Sequence, residues 1–180
     1  MVCILLADGF EEIEALTQID YLRRAGIDIK AAAVGDMTVT GGHGIKVIAD
    51  MPLADVKKES LDMLILPGGM GGVNGLTNSK EACELIRYAA DHARLAAICA
   101  APTLVSSLGL VKGKKCICYP GMEDILAENG GIVTTESVVV DGNLVTSRGP
   151  GTSEQFALAL IALLAGKDVS ERIRKGLVAR

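Results

Sequence analysis

Cys99 lies at a position where a thiol could act as a nucleophile. The segment Ile98-Cys99-Ala100-Ala101-Pro102 joins an apolar, strand-like run to a helix that Pro102 can open, because proline is favoured at the first helical position. Such a strand-to-helix turn is the setting of a nucleophile elbow. A thiol before a helix N-terminus also meets the positive end of the helix dipole, which predicts a lowered pKa and a reactive thiolate. The alternative is a buried, inert cysteine.

A carboxyl group could assist this thiol. Glu11, Glu12 and Glu14 open the first predicted helix, where negative charge is favourable. Glu14 lies beside the apolar stripe of that helix and could point inward, whereas we expect the other two glutamates to face solvent. Burial raises the pKa of a glutamate, so Glu14 could stay protonated, donate a hydrogen bond to a thiolate and move a proton.

The segment Pro67-Gly68-Gly69 follows an apolar run and could present backbone N–H groups to an anion or a developing oxyanion. The alternative is a tight turn that needs glycine for a positive φ. No Gly-Lys-Ser/Thr follows, which excludes a phosphate-binding P-loop. His43 and His92 are the only histidines and have no metal-ligand spacing, so we predict no metal site.

The elements that must position these residues alternate along the chain. Apolar runs of strand length alternate with helix-length segments, as in the strand Val2–Ala7 followed by a helix with Ile13, Leu16, Ile19 and Leu22 on roughly one face. Further strands are predicted at 27–34, 61–66, 95–99, 115–118, 132–135, 138–140 and 144–147, a hairpin at 37–48, and helices at 79–93, 101–108, 122–129, 152–164 and 169–180. This β-α-β alternation predicts an α/β fold with a mostly parallel sheet and helices on both faces.

Composition narrows the class of protein. The chain has 180 residues, 49% of them apolar, which suits a single well-buried domain over residues 1–180. A net charge of −4 without a basic cluster argues against a nucleic-acid partner. The longest apolar stretch, Phe156–Ala165, is too short to span a membrane, and the N-terminus lacks a signal peptide. We therefore expect a cytoplasmic protein whose five cysteines are free thiols.

Four motifs together resemble the ThiJ/PfpI superfamily, in the branch that contains the parkinsonism-associated protein deglycase and its bacterial homologues. The resemblance runs over essentially the whole chain, with the motifs in the same order. They are Ala7-Asp8-Gly9-Phe10-Glu11-Glu12-Ile13-Glu14, Leu66-Pro67-Gly68-Gly69, Ala97-Ile98-Cys99-Ala100-Ala101-Pro102 and Thr146-Ser147-Arg148-Gly149-Pro150-Gly151-Thr152.

The resemblance implies a flavodoxin-like three-layer α/β/α sandwich, related to class I glutamine amidotransferase domains, that forms a homodimer. It implies an oxidation-prone catalytic cysteine, matched by Cys99, and a hydrogen-bonding glutamate, matched by Glu14. The oxyanion donors would be the backbone N–H groups of Gly69 and Ala100. Family members convert methylglyoxal to lactate without a cofactor, remove early glycation adducts, act as chaperones and sense redox state.

The chain departs from the family pattern at several positions. Tyr119 stands before Pro120 where much of this branch has a histidine, so a general base is missing, although a tyrosine could bind substrate. Ala100 stands where the peptidase branch has a histidine, which weakens the peptidase interpretation. His43 replaces an arginine of the hairpin loop, and Arg24 matches an arginine near the dimer contact; either could hold an anionic group.

Two functional hypotheses follow. The first is a cofactor-independent enzyme in which the Cys99 thiolate attacks a 2-oxoaldehyde or its glycation adduct and Glu14 moves protons. The second is a redox sensor or chaperone in which Cys99 is oxidised to a sulfinate held by Glu14. An intracellular cysteine peptidase is the less favoured third interpretation.

Overall fold

A seven-stranded sheet forms the centre of the computed structural model, which describes residues 1–179. Its strand order is β10-β11-β7-β6-β1-β2-β5, and every neighbouring pair is parallel except β10 with β11. An antiparallel hairpin, β3-β4, and a short parallel pair, β8-β9, stand apart from it. The strands are β1 Val2–Leu6, β2 Ile29–Ala33, β3 Thr38–Thr40, β4 Lys46–Ile48, β5 Met51–Pro52, β6 Met63–Leu66, β7 Arg94–Ile98, β8 Lys115–Cys116, β9 Ile132–Val133, β10 Val138–Asp141 and β11 Leu144–Ser147.

Within residues 1–179, seven α-helices cover the sheet in two groups. In one group α1 packs against α6 and α6 against α7; in the other α2 packs against α3 and α4, and α4 against α5. The helices are α1 Glu12–Arg24, α2 Met70–Asn78, α3 Lys80–His92, α4 Ala101–Ser107, α5 Glu123–Glu128, α6 Ser153–Ala165 and α7 Lys167–Gly176. The predicted three-layer, flavodoxin-like α/β/α architecture is confirmed.

The strand order determines where a ligand can reach the sheet. Taken in chain order, the five long parallel strands β1, β2, β6, β7 and β11 have the spatial order 2-1-3-4-5. The chain passes from β1 to its neighbour β2 on one side of β1, and then crosses to β6 on the other side of β1. Because the two connections leave in opposite directions, a crevice opens between the carboxyl ends of β1 and β6. The loop after β7, which carries Cys99, lies beside this crevice.

Burial on both faces explains the composition of the central strands. All five residues of β1 and all four of β6 are buried, so neither strand alternates between apolar and polar residues. The helix boundaries follow local chemistry, as at α3, where the Ser79 hydroxyl caps the helix by accepting a hydrogen bond from the Ala82 N–H.

Two local expectations were wrong. A helix, α2, begins at Met70 directly after Gly69, whereas the sequence predicted no helix before residue 79 in this part of the chain. The buried face of α1 consists of Ala15, Gln18, Ile19, Leu22 and two glutamates, while Ile13 is 55% exposed. Glu12 and Glu14 face inward because they belong to the site described below, whereas Gln18 donates to the Ser153 carbonyl on α6.

No helix within residues 1–179 is both long enough and apolar enough to cross a lipid bilayer.

Candidate active site

Cys99 adopts a backbone conformation that L-residues rarely accept. It follows the last residue of β7 with φ of 65°, which places it in the left-handed region at a cost of about 1–2 kcal/mol. Two backbone hydrogen bonds hold it there: its N–H donates to the Ser147 carbonyl at 3.0 Å, and its carbonyl accepts from the Tyr119 N–H at 2.8 Å. Cys99 therefore occupies a strained strand-to-helix elbow, as predicted, and is 8% exposed.

Glu14 reaches the same point from α1. Its side chain is completely buried, and Oε2 accepts a hydrogen bond from the Gly68 N–H at 2.7 Å. The Gly68 carbonyl in turn accepts from the Glu11 N–H at 2.9 Å. The peptide group of Gly68 is thus held on both sides by the start of α1, which fixes the loop after β6 against the glutamate.

Gly68 lies against both the acid and the thiol. A Cβ atom at this position would lie 2.6 Å from both Cys99 Cβ and Glu14 Oε2, and 3.0 Å from the Cys99 sulfur. Only glycine fits this space. Its φ is ordinary, so the requirement is steric and not conformational.

The backbone N–H groups of Gly69 and Ala100 favour negative charge on the Cys99 sulfur, because both act to lower the pKa of the thiol. Gly69 has φ of +82° and packs directly against the Gly9–Phe10 backbone, so a glycine is required there both for conformation and for space. The two N–H groups that the family resemblance suggests as oxyanion donors therefore also favour the thiolate form of Cys99.

The thiol and the carboxyl influence each other's protonation. Burial raises the pKa of Glu14 to about 7, although hydrogen bonds with Cys99 and Gly68 act to lower it. Burial also raises the pKa of Cys99 to about 12; the charge of the Glu14 carboxylate adds to this, and the Ala100 and Gly69 N–H groups oppose it. When Glu14 binds a proton its charge no longer opposes the thiolate. The two groups consequently titrate as a pair that accommodates one negative charge.

The expected lowering of the Cys99 pKa by the helix dipole is not what the structure shows. The helix after the elbow, α4, has only seven residues, and the sulfur is buried beside a carboxyl group. Burial outweighs the dipole at this site. Formation of a reactive thiolate therefore depends on protonation of Glu14, which removes the neighbouring negative charge, and on the two backbone N–H groups.

Glu12, expected to be solvated, is buried and bound to His43. Its Oε1 accepts from the His43 backbone N–H at 2.6 Å, and its Oε2 lies 2.7 Å from Nδ1 of the histidine ring. Although burial acts to raise the pKa of Glu12, these hydrogen bonds hold it below its ordinary value, and the carboxylate raises the pKa of His43. The pair ties the β3-β4 hairpin to the start of α1.

The carboxylates of Glu11 and Glu12 and the ring of His43 form a cluster whose ligand atoms lie within 4.8 Å of one another. A metal ion would have to displace the hydrogen bonds between Glu12 and His43 and the cap that Glu11 Oε2 provides to the Glu14 N–H. Since these bonds already use the carboxylates, the cluster is explained as a hairpin anchor.

Arg24 does not reach the site within one chain. It lies at the last residue of α1, ten residues and about 15 Å beyond Glu14, where its guanidinium pairs with Asp20 at 2.7 Å. A role for Arg24 in substrate binding would require a second copy of the chain. Tyr119, in contrast, is linked to Cys99 through its backbone and is half-exposed beside the site.

The sequence did not single out Arg148 as a functional residue. It follows Ser147, whose carbonyl binds the Cys99 N–H, and it lines a cavity of about 220 Å³ together with Tyr119. Its position in the motif of residues 146–152 could have indicated a functional role. That motif includes the carboxyl end of β11, and ligands bind at the carboxyl ends of the strands in such sheets.

Comparison with known proteins places most of the chain in one family. The family model described as the DJ-1/PfpI family matches residues 1–163. Protein dj-1beta of Drosophila melanogaster is 41% identical over 177 residues, covering 97% of this chain and 95% of that protein. Its crystal structure superposes with a TM-score of 0.95, at 38% identity, over 99% of this chain and 97% of the other.

The names of two further relatives refer to an enzymatic activity in one case and to oxidation in the other. The glutathione-independent glyoxalase DJR-1.2 of Caenorhabditis elegans is 31% identical over 175 residues, covering 97% of this chain and 93% of that protein. A structure titled Toxoplasma gondii DJ-1, oxidized, has a TM-score of 0.93 and 33% identity over 99% of this chain and 97% of the other.

Proposed function

The chain belongs to the DJ-1/PfpI family, and we propose that it converts 2-oxoaldehydes to 2-hydroxy acids, with Cys99 as the nucleophile and no cofactor. The observation that carries this proposal is that a strained, nearly buried thiol and a fully buried carboxyl group both lie against Gly68, where a Cβ atom would be 3.0 Å from the Cys99 sulfur and 2.6 Å from Glu14 Oε2. The glyoxalase name of the nematode relative supports the reaction class. Early glycation adducts, which present the same carbon to the thiol, are a second substrate class.

In the first step the Cys99 thiolate attacks the aldehyde carbon of methylglyoxal. A carbon–sulfur bond forms, and the carbonyl electron pair moves to oxygen to give a hemithioacetal alkoxide. This oxygen lies one bond from the carbon attached to sulfur, within reach of the Gly69 and Ala100 N–H groups that already serve the sulfur. The proton on Glu14 then neutralises the alkoxide.

In the second step Glu14, now a carboxylate, removes the hydrogen on the former aldehyde carbon as a proton. The resulting enediol takes a proton back at the neighbouring carbon, which leaves a lactoyl thioester on Cys99. A water molecule hydrolyses the thioester to lactate and returns the thiol. The net change is the addition of one water to methylglyoxal, so no external oxidant or reductant is needed. A carboxyl group with a pKa of about 7 can both give and take a proton near neutral pH.

The experiment is lactate formation from methylglyoxal by wild type, Cys99→Ala and Cys83→Ala. Cys83 is the matched control because its half-buried thiol lies on α3 and donates to the Leu76 and Thr77 carbonyls, not to the groups around Cys99. We expect Cys99→Ala to reduce the rate to background and Cys83→Ala to retain it. Equal rates for wild type and Cys99→Ala would refute the proposal.

A redox-sensing or chaperone-like function is the second candidate, favoured by the donors around the Cys99 sulfur. Two equivalents of hydrogen peroxide would oxidise the thiol to a sulfinate, with two waters as the reduced products. A protonated Glu14 and the two N–H groups could donate hydrogen bonds to the sulfinate oxygens. The oxidised relative from Toxoplasma gondii is consistent with such chemistry in that protein.

Mass spectrometry after mild peroxide treatment tests this candidate. We expect Cys99 to gain two oxygens while Cys3, Cys116 and Cys118, which are completely buried, remain thiols. Oxidation of Cys83 with no change at Cys99 would remove the redox interpretation. A peptidase has less support, because His43 is bound to Glu12 and His92 lies at the end of α3, so neither of the two histidines serves Cys99.

A further inference from the structure

Gln18 is a completely buried amide on the inward face of α1. Its Nε2 donates a hydrogen bond to the Ser153 carbonyl at 3.1 Å, and this contact joins α1 to the first residue of α6. Gln18 lies four residues after Glu14, so the two residues share one face of the helix. The amide therefore fixes α1 about one turn away from the carboxyl group of the candidate site.

The segment that accepts this hydrogen bond also holds the thiol in place. Thr152 precedes Ser153 in the chain, and its Oγ1 lies 2.6 Å from the Ser147 Oγ. The Ser147 carbonyl accepts the Cys99 N–H at 3.0 Å. The helix that carries Glu14 and the turn that carries Cys99 are therefore hydrogen-bonded to the same segment, residues 147–153.

Stability alone does not explain an amide at this position. The Gln18 Oε1 is buried and has no hydrogen-bond partner within residues 1–179, and an amide oxygen buried without a donor destabilises the fold. A methionine, which is similar in length and fills irregular space in protein cores, would carry no such oxygen. The Ser153 carbonyl does not depend on Gln18, because the first residue of an α-helix also accepts an intrahelical hydrogen bond.

The position of α1 determines how the Glu14 carboxyl meets the thiol. Besides its interaction with Cys99, the carboxyl receives one hydrogen bond, from the Gly68 N–H to Oε2 at 2.7 Å. Its Oε1 is buried and has no partner among the described residues. A carboxyl group held by so few bonds takes its orientation from the helix that carries it.

We propose that Gln18 is a positioning residue, which holds the Glu14 carboxyl against Gly68 and Cys99 by fixing α1 to residues 147–153. The proposal rests on the proton-transfer function proposed for Glu14 and adds a residue to it. Gln18 acts through Glu14 and does not touch the substrate. Such positioning matters for the rate, because a displacement of about 1 Å can reduce the rate of a reaction by about a hundredfold.

The first experiment measures the two groups without relying on turnover. The rate at which iodoacetamide alkylates Cys99 is followed by peptide mass spectrometry at pH values on both sides of 7. Protonation of Glu14 removes the charge that opposes the thiolate, so the wild-type profile should inflect near the Glu14 pKa of about 7. In Gln18→Met we expect the inflection to move by about one pH unit or more toward the ordinary value of 4.5, because a displaced carboxyl meets water.

Tyr21→Phe is the matched control variant. The Tyr21 hydroxyl donates to Glu154 Oε2 at 3.3 Å, so this substitution also removes one hydrogen bond between α1 and α6. Tyr21 lies about 10 Å along the helix from Glu14, and its loss should leave the inflection in place. An unmoved inflection in Gln18→Met, or an equal movement in Tyr21→Phe, would overturn the positioning role.

The second experiment measures kcat and KM for lactate formation from methylglyoxal in the same three proteins. We expect Gln18→Met to reduce kcat by about ten- to a hundredfold and to change KM by less than about threefold, because Gln18 does not contact the substrate. Tyr21→Phe should change neither constant by more than about threefold. A loss expressed mainly in KM would contradict the proposal.

Urea denaturation separates positioning from a structural role. We expect the denaturation midpoint of Gln18→Met to be no lower than that of wild type, because the substitution removes the unsatisfied Gln18 Oε1 and the Ser153 carbonyl keeps its intrahelical hydrogen bond. A midpoint well below that of Tyr21→Phe, or a variant that does not fold, would show that the amide stabilises the fold and would also contradict the proposal.

The experiments separate the two proposals. If wild type forms no lactate while the alkylation profile of Cys99 still depends on Gln18, the glyoxalase proposal fails and the positioning role stands. If wild type forms lactate and neither kcat nor the inflection depends on Gln18, the positioning role fails and the glyoxalase proposal stands.

Discussion

At the scale of single residues, the proposed chemistry depends on one proton shared between two buried groups. Glu14 is completely buried, and Cys99 is nearly so. Burial opposes charge on either group, while the Gly69 and Ala100 N–H donors favour charge on the sulfur. Protonation of Glu14 therefore permits the thiolate, and the acid that permits it is also the group placed to move protons during the reaction.

Replacing Glu14 by glutamine should change how stability depends on pH. The folded-state pKa of Glu14 is about 7 and its ordinary value is 4.5, so between these values the folded chain holds a proton that the unfolded chain has lost. The stability of wild type relative to Glu14→Gln is thus greatest below pH 4.5 and is lost as pH rises through 7. We expect the difference in the free energy of unfolding to change by up to about 3 kcal/mol across this window.

Urea denaturation at a series of pH values measures this difference. The exposed Glu84 on α3 supplies the control, because Glu84→Gln should leave the pH profile parallel to that of wild type. Parallel profiles for wild type and Glu14→Gln would show that the carboxyl of Glu14 titrates alike in the folded and unfolded chains.

At the scale of elements, the site is a meeting of three strand-to-helix connections. The loop from β1 leads into the first turn of α1, which carries Glu14. The loop from β6 to α2 brings Gly68 and Gly69, and the turn from β7 to α4 brings Cys99. Glycines at Gly9 and Gly69 let the first two loops pack backbone against backbone. This close packing holds the acid and the N–H donors at the sulfur without any side chain between them.

Gly68→Ala should therefore damage the site more than the fold. The added methyl would overlap Cys99 Cβ and Glu14 Oε2, so one of the two side chains must move. We expect lactate formation to fall by at least about a hundredfold and the free energy of unfolding by about 1–3 kcal/mol. Activity assays and denaturation measure the two effects.

Gly176→Ala is the control for this substitution, since a Cβ atom at Gly176 meets no atom within 4 Å. It should leave activity and stability near the wild-type values. Full activity of Gly68→Ala would mean that the separation of Glu14 and Cys99 is not critical for the reaction.

At the scale of the whole molecule, an apolar surface remains uncovered near the site. Ile13 at the start of α1 is 55% exposed, and Ile45 and Ile48 on the hairpin are 51% and 77% exposed. The two elements are joined where the Gly42 N–H donates to the Phe10 carbonyl and where His43 binds Glu12. Exposed isoleucines on adjoining elements are typical of a protein–protein interface, and we propose that this surface is the contact of a homodimer.

The combined variant Ile13→Asp/Ile48→Asp should weaken self-association by at least about tenfold, because each substitution places a charge in the apolar contact. Sedimentation velocity over a range of concentrations measures this. Ile132→Asp is the control: Ile132 is 52% exposed on β9, which is paired with β8 apart from the central sheet. A wild-type chain that stays monomeric, or a control that dissociates equally, would contradict the proposed interface.

Local sequence was sufficient to predict most of the elements and the elbow. Continuous apolar runs predicted β1, β6 and β7 because strands buried on both faces have no polar side, and Pro102 after small residues predicted the turn at Cys99. The resemblance of four motifs to a known family added Glu14 as the partner of Cys99. These features depend on neighbours within a few residues or on patterns that the sequence displays directly.

Tertiary structure decided what surrounds the Cys99 thiol. Burial reversed the expected direction of its pKa shift, turned Glu12 from a solvated residue into the anchor of His43, and left Ile13 on the surface. It also bonded Gln18 of α1 to α6. A pKa, an exposure or a side-chain hydrogen bond depends on groups that approach from distant parts of the chain, and only the packing of the sheet and helices determines which groups those are.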